Sequence, residues 1–340
     1  MASIPKPEFV ILCNDISSAS CIEGFHVILV SSYDGKISLF DSNTQRLLVN
    51  YKTEKKDLIF ARGFVDDNNL RHEIFLSRLK ILCHFKNGDI ILYEILKDVS
   101  LNLFLKWKAT TVCFAKCFFN SLHDSFGFVS GEGKESAFEI VNKKSFETMK
   151  LTFDSSSHGV ISDSFYWKES DESLFILFSD ETGTLTLYEH KIGAWNFITK
   201  KCSLKCFKEL ILCFDFHHES KRGIAGSVGD EIVIWNIDLE KFELKINKRI
   251  KLNYSGTTCC AIRPDGKIFS IASKDGQIKI LSFKTGKLLV SIPFHSSSIK
   301  DINFSETIIK NEYSLIVADN HTLLSVWTFY SNNSFLQNEI

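Results

Sequence analysis

ASKDGQIKIL, residues Ala272–Leu281, is a short apolar run that enters a Gly-centred polar turn and leaves as a second, alternating run. The same design recurs as SSYDGKISLF (Ser31–Phe40), HFKNGDIILY (His84–Tyr93), VSGEGKESAF (Val129–Phe138), SDETGTLTLY (Ser179–Tyr188), SVGDEIVIW (Ser227–Trp235) and ADNHTLLSVW (Ala318–Trp327). In the second runs, Ile37 and Leu39, Ile90 and Leu92, and Leu185 and Leu187 are two apart and share a face, the period of a strand. Gly, Asp and Asn supply the backbone geometry of tight hairpins. The turn anchors Gly35, Gly88, Gly133, Gly183, Gly229, Gly276 and Asn320 are spaced 44–53 residues apart. A hairpin repeated at so long a period specifies a closed ring of small sheets, which as a rule presents surfaces to partners.

Each hairpin is flanked by further strand-like runs. Innermost candidates are Thr111–Phe119, Val160–Trp167, Leu210–His218, Thr257–Gly266 and Ser298–Ser305. Outer candidates follow the hairpins: RLLVNYK, NLFLKWK, FETMKLTF, WNFITKKC, FELKINK and KLLVSIPF. Four strands per unit and seven units predict an all-β, seven-bladed β-propeller over residues 1–340, with no linker dividing it. The last unit lacks an outer strand, because SNNSFLQNEI at the C-terminus is too polar. The apolar PEFVIL, Pro7–Leu12, is the expected closing strand of the seventh blade.

The bulk composition narrows the function classes. Forty basic and 41 acidic residues give a formal net charge of −1. No field of one sign draws in nucleic acid or an anionic membrane, so neither is an expected partner. No apolar run approaches the roughly 18–20 residues that span a bilayer. The N-terminus lacks the h-region of a signal peptide, so a soluble intracellular protein is expected. Ten cysteines lie mostly in apolar strand-like runs, the pattern of reduced core thiols. The pairs Cys113/Cys117 and Cys202/Cys206 are four apart, which on a strand is about 13 Å and too far for one zinc ion.

Motifs of catalysis are absent from the sequence. No G-x-x-x-x-G-K-[ST], G-x-S-x-G or H-E-x-x-H occurs. SGEGK (Ser130–Lys134) reads as a hairpin and His217-His218-Glu219 as the loop ending an innermost strand. Asp34, Asp89, Asp230 and Asp275 recur at turns. A propeller enzyme would need acids or histidines at the starts of the innermost strands, and those starts read as Thr, Val, Leu and Ser. No catalytic residue, metal ligand or cofactor site is expected.

RPDGKIFSIASKDGQIKIL and SVGDEIVIWNI resemble WD repeats. That resemblance implies a hydrogen-bonded tetrad of His, Ser/Thr, Asp and Trp, and His295, Asp319 and Trp327 stand at matching separations. The block Thr257–Ser305, followed by SLIVADNHTLLSVWTFY, resembles the two C-terminal blades of a narrower family. These are the fungal ASTRA-associated WD-repeat proteins and the related animal G-protein beta-subunit-like proteins. PKPEFVIL and SSYDGKISLFDSNTQRLL match the family's start and first blade. Asn14, Asn236 and Leu281 depart from the family pattern.

The resemblance implies a non-enzymatic scaffold subunit of the ASTRA assembly. The implied partners are RuvB-like ATPases, the triple-T cochaperone and a PI3-kinase-related kinase or pseudokinase. The implied setting is chromatin remodelling and kinase maturation in the nucleus, with the chain a monomer inside a hetero-complex. Arg263, Lys274, Asp275, His295 and His321 are the candidate protein contacts. A rival reading is a substrate receptor of a ubiquitin ligase. Such propellers carry W-D-x-R, whereas here Trp235-Asn236-Ile237-Asp238 and Trp327-Thr328-Phe329-Tyr330 lack the Arg.

Overall fold

The computed structural model describes residues 5–22, 25–65, 79–96, 100–111, 115–120, 124–131, 136–153, 160–193, 197–253, 256–305 and 313–329. These residues form 28 strands and no α-helix. After β1 (Phe9–Leu12), blade 1 is β2 (Ile16–Ile22), β3 (Val27–Ser32), β4 (Lys36–Asp41) and β5 (Leu47–Lys52). Blade 2 is β6 (Leu58–Val65), β7 (Leu79–Phe85), β8 (Asp89–Ile95) and β9 (Leu101–Lys108). Blade 3 is β10 (Phe118–Asn120), β11 (Ser125–Ser130), β12 (Ala137–Asn142) and β13 (Thr148–Phe153). Blade 4 is β14 (Ile161–Lys168), β15 (Ser173–Asp180), β16 (Thr184–Lys191) and β17 (Phe197–Lys205). Blade 5 is β18 (Ile211–His217), β19 (Arg222–Ser227), β20 (Glu231–Asp238) and β21 (Glu243–Lys251). Blade 6 is β22 (Thr257–Ile262), β23 (Ile268–Ser273), β24 (Gln277–Ser282) and β25 (Leu288–Pro293). Blade 7 is β26 (Ile299–Phe304), β27 (Ser314–Asp319), β28 (Leu323–Thr328) and, from the other end of the chain, β1.

The second and third strands of each blade are apolar on both faces because both faces are covered. The core lies between blades, not inside them. Ile22, Leu29 and Leu39 of blade 1 pack with Ile81, Cys83 and Tyr93 of blade 2. Clusters of the same kind join each blade to the next, and the last unites Phe9, Ile11 and Val326 of blade 7 with Ile16, Ala19 and Val30 of blade 1. The ring is therefore held by apolar burial at every interface.

β1 pairs antiparallel with β28, Phe9 opposite Val326 through Leu12 opposite Leu323. Flanking bonds extend the seam: Glu8 N–H donates to Val326 O at 2.8 Å and Cys13 N–H to Thr322 O at 2.9 Å. Blades 3 and 4 share an unforeseen link. Their outer strands β13 and β17 pair in parallel at Thr152–Phe197 and Phe153–Ile198, making one eight-stranded sheet.

Three local expectations need correction. The innermost strand expected over Thr111–Phe119 is confined to Phe118–Asn120. Cys117 N–H donates to Nδ1 of His84 in the preceding blade, at 3.1 Å. Gly35 and Gly276 take φ of +85° and +82°, and a Cβ there would lie 2.1 Å from Lys55 O and 2.2 Å from His295 O. Gly229, by contrast, is one position earlier in its turn and does not adopt positive φ. At Asn320 no glycine is needed. Asp319 Oδ1 accepts the N–H groups of His321, Thr322 and Leu323, each at 3.0 Å, and so shapes the turn with a side chain. The Gly133 hairpin and Cys113 lie outside the described residues.

Candidate functional site

Two polar constellations are built by the ring. The first orders the seventh blade. His295 sits on the loop between β25 and β26, Asp319 ends β27, and Ser325 and Trp327 are two apart on one face of β28. His295 Nδ1 lies 3.2 Å from Asp319 Oδ2, and Nε2 lies 2.7 Å from Ser325 Oγ. Trp327 Nε1–H donates to the same Ser325 Oγ at 2.7 Å. All donors and acceptors are satisfied if the imidazole is neutral with its proton on Nδ1 and Ser325 donates to Nε2. Burial pushes the imidazole down from its ordinary pKa, against the pull of Asp319. Burial also disfavours the Asp319 carboxylate. The Leu323 N–H, the His295 ring and the His321 N–H outweigh it and hold the carboxyl below its usual range.

The structure thus brings His295, Asp319 and Trp327 together and adds Ser325, which the sequence reading left unassigned. Ser325 was legible as the hydroxyl two residues before the Trp. Blade 5 carries the contrast: Val233 stands two before Trp235, and Trp235 Nε1 finds no hydrogen-bond partner among the described residues. Trp235 is held instead by stacking on Phe216 at 5.4 Å and 4°.

Two of the contact candidates are corrected. Arg263 is 1% exposed. It holds Asp265 through Nε at 2.9 Å and Nη2 at 2.8 Å, and donates from Nη1 to Phe329 O at 3.0 Å. Its cation is consumed in joining blades 6 and 7. The His295 side chain is 0% exposed, so it orders the blade and offers no contact. Lys274, Asp275 and His321 are exposed, on the hairpins of blades 6 and 7 at the same end of the ring.

The second constellation lines a central cavity of about 920 Å³. Acids do line this channel: Asp163, Asp215 and Asp301 lie inside the innermost strands, past the Thr, Val, Leu and Ser of their starts. Each clamps the next blade. Ala19 N–H donates to Asp301 Oδ2 at 3.0 Å and Ile262 N–H to Asp215 Oδ2 at 2.7 Å. Phe214 N–H bonds Asp163. Ser18 does the same with its hydroxyl, accepting Ala61 N–H at 3.0 Å. An innermost strand has one unpartnered edge, and these side chains satisfy part of it. Asp163 is open to the channel but deep in the ring, and burial pushes its carboxyl up to about 7. The signal was present as an Asp inside three of the seven innermost strands (ISDSF, CFDFH, IKDIN), masked by the more frequent Asp residues of the turns.

Seven four-stranded blades, closed by an N-terminal strand and carrying a buried His–Ser–Asp–Trp network, make the chain a WD-repeat β-propeller. Residues 235–307 match the family model of the anaphase-promoting complex subunit 4 WD40 domain. The chain is also similar to the mouse (Mus musculus) guanine nucleotide-binding protein subunit beta-like protein 1, at 26% identity over 206 residues. That alignment covers 59% of this chain and 59% of the relative, less than two thirds of either.

Proposed function

We propose that this propeller is a non-enzymatic scaffold subunit of an ASTRA-like assembly in the nucleus. In that reading it acts as a monomer within a hetero-complex, beside RuvB-like ATPases, a triple-T-type cochaperone and a PI3-kinase-related kinase or pseudokinase. Its contribution is to chromatin remodelling and to the stability of those kinases. The observation that carries the reading is where the polar groups are used. His295, Arg263 and the channel aspartates are committed to holding blades together, while the hairpin residues Lys274, Asp275 and His321 face outward. Similarity to a beta-like WD-repeat protein supports it, and so does the C-terminal block that carries the family resemblance. Affinity purification of the endogenous full chain with mass spectrometry tests it. Recovery of the ATPases, cochaperone subunits and a large kinase is expected; recovery of cullin adaptors alone would replace it with the ubiquitin-ligase receptor.

A further inference from the structure

Asp89 opens β8 at the edge of the second hairpin, and its side chain is only 4% exposed. A buried carboxylate needs one counter-ion, and this one has three. Lys108 lies opposite it across the β8–β9 ladder with Nζ 3.0 Å from Oδ1, and Lys106 reaches the same oxygen at 3.3 Å. Lys55, from the loop between blades 1 and 2, pairs with Oδ2. Asn87 Nδ2 adds a fourth donor at 3.0 Å. On blade 1, Asp34 has a single lysine, Lys52. Glu54 acts on Lys55 electrostatically, and among the described residues it makes no ion pair with the cluster. Two ammonium groups more than Asp89 needs are thus concentrated in one spot, and the Lys106 and Lys108 side chains are 46% and 62% exposed.

The strand that carries them is also an open edge. β9 is the last strand of its sheet, so its outer N–H and C=O groups meet no further strand among the described residues. Edge strands are normally blunted by charge. The outer strand of blade 5 follows that rule, with Lys245, Lys248, Arg249 and Lys251. The first half of β9 has no charge and leaves Leu103 52% exposed.

We propose that the outer edge of blade 2 docks an extended segment of a partner protein bearing a phosphorylated serine or threonine. The segment adds to β9 as a further strand, sets an apolar side chain on Leu103, and places its phosphate among Lys55, Lys106 and Lys108. A phosphate monoester is a near-dianion with several acceptor oxygens, which matches the cationic excess in charge and in donors. A bulge at Phe104 sets Leu103 opposite Tyr93 and Lys108 opposite Asp89, four ladder positions and about 13 Å apart on one face, so phosphate and apolar residue should be separated by about four positions. The proposal rests on the scaffold reading and names the chemistry of one partner.

Binding of the full chain to a fluorescent ten-residue peptide, with phosphoserine four residues from a leucine, tests it against the serine peptide by anisotropy. Phosphorylation should tighten binding about tenfold. The double variant Lys106→Ala/Lys108→Ala should lose that preference with an unchanged melting temperature, because Lys55 and Asn87 still hold Asp89. Leu103→Glu should weaken both peptides alike. Equal binding of the two peptides, or a preference that survives the double variant, would overturn the proposal. So would stronger binding to vesicles carrying phosphorylated inositol lipids than to the phosphopeptide. If phosphate preference fails while the native chain still recovers its assembly by purification, the scaffold reading stands and only the docking strip falls.

Discussion

Ala19 on the first blade donates its backbone N–H to Asp301 on the seventh at 3.0 Å, across 282 residues of sequence. Asn303 Nδ2 donates to the carbonyl of the same Ala19, also at 3.0 Å. The ring is therefore closed twice, by side chains at the channel and by β1 at the rim. Asp301→Ala should cost about 1–3 kcal/mol, because the Ala19 N–H is left without its acceptor. Asp301→Asn keeps an acceptor and should cost less. Urea midpoints of the two variants check the order, and equal losses would show that charge, not acceptance, matters.

Deletion of residues 2–12 removes β1 and strips Phe9 and Ile11 from the interface of blades 7 and 1. It also bares the edge of β28, an invitation to pair with another chain. A lowered melting temperature and concentration-dependent light scattering are expected. Unchanged values for both would mean that the channel clamp alone closes the ring.

Ser325→Ala deprives Trp327 Nε1–H of its acceptor and His295 Nε2 of its donor. The expected loss is about 2–4 kcal/mol, at the upper end for one hydroxyl because two buried partners are orphaned. Trp327→Phe in the Ser325→Ala background should cost less than in the native chain, a non-additivity that a double-mutant cycle reads directly.

Two buried groups give opposite pH dependence. Burial, aided by Lys116, pushes His84 down to about 4, and its Nδ1 accepts the Cys117 N–H. Between pH 6.5 and 4 the unfolded imidazole takes a proton that the folded one refuses. His84 therefore contributes stability that is present above pH 6.5 and falls away toward pH 4, by about 3 kcal/mol at most. Asp163 is pushed up to about 7, so the folded state holds the extra proton and stability falls as pH rises from 4 to 7. Its share should be on the order of 1–2 kcal/mol, since the carboxyl is open to the channel. His84→Gln should flatten the acid-side loss and Asp163→Asn the neutral-side one, read as urea midpoints from pH 4 to 7.5.

Much of the architecture was readable from hairpins alone. Strands such as VILVSS and SLIVAD are continuous apolar runs because both their faces meet a neighbouring blade. Local pattern failed where a distant group intervened. The run Thr111–Phe119 looks like a strand, yet only Phe118 and Phe119 of it pair with β11, and Cys117 N–H bonds His84, 33 residues earlier. Arg263, beside a turn, reads as a surface cation, but β22 ends where Asp265 and the carbonyl of Phe329 enclose it. The β13–β17 pairing left no periodic trace at all, because two residues of parallel ladder require no change in composition.

What the amino-acid sequence determined by itself is what depends on neighbours in the chain: turn glycines, two-residue alternation, the number of blades, and an apolar strand left over at Pro7–Leu12, of which Phe9–Leu12 pairs. The tertiary structure alone decided which charges are spent and which are free. Asp163, Asp215 and Asp301 became inter-blade clamps, Arg263 and His295 were buried, and Lys106 and Lys108 gathered on a carboxylate that needed only one of them. The physical reason is that a hydrogen bond or an ion pair depends on distance in space. In a ring, the nearest partner of a residue belongs to the next blade, dozens or hundreds of positions away.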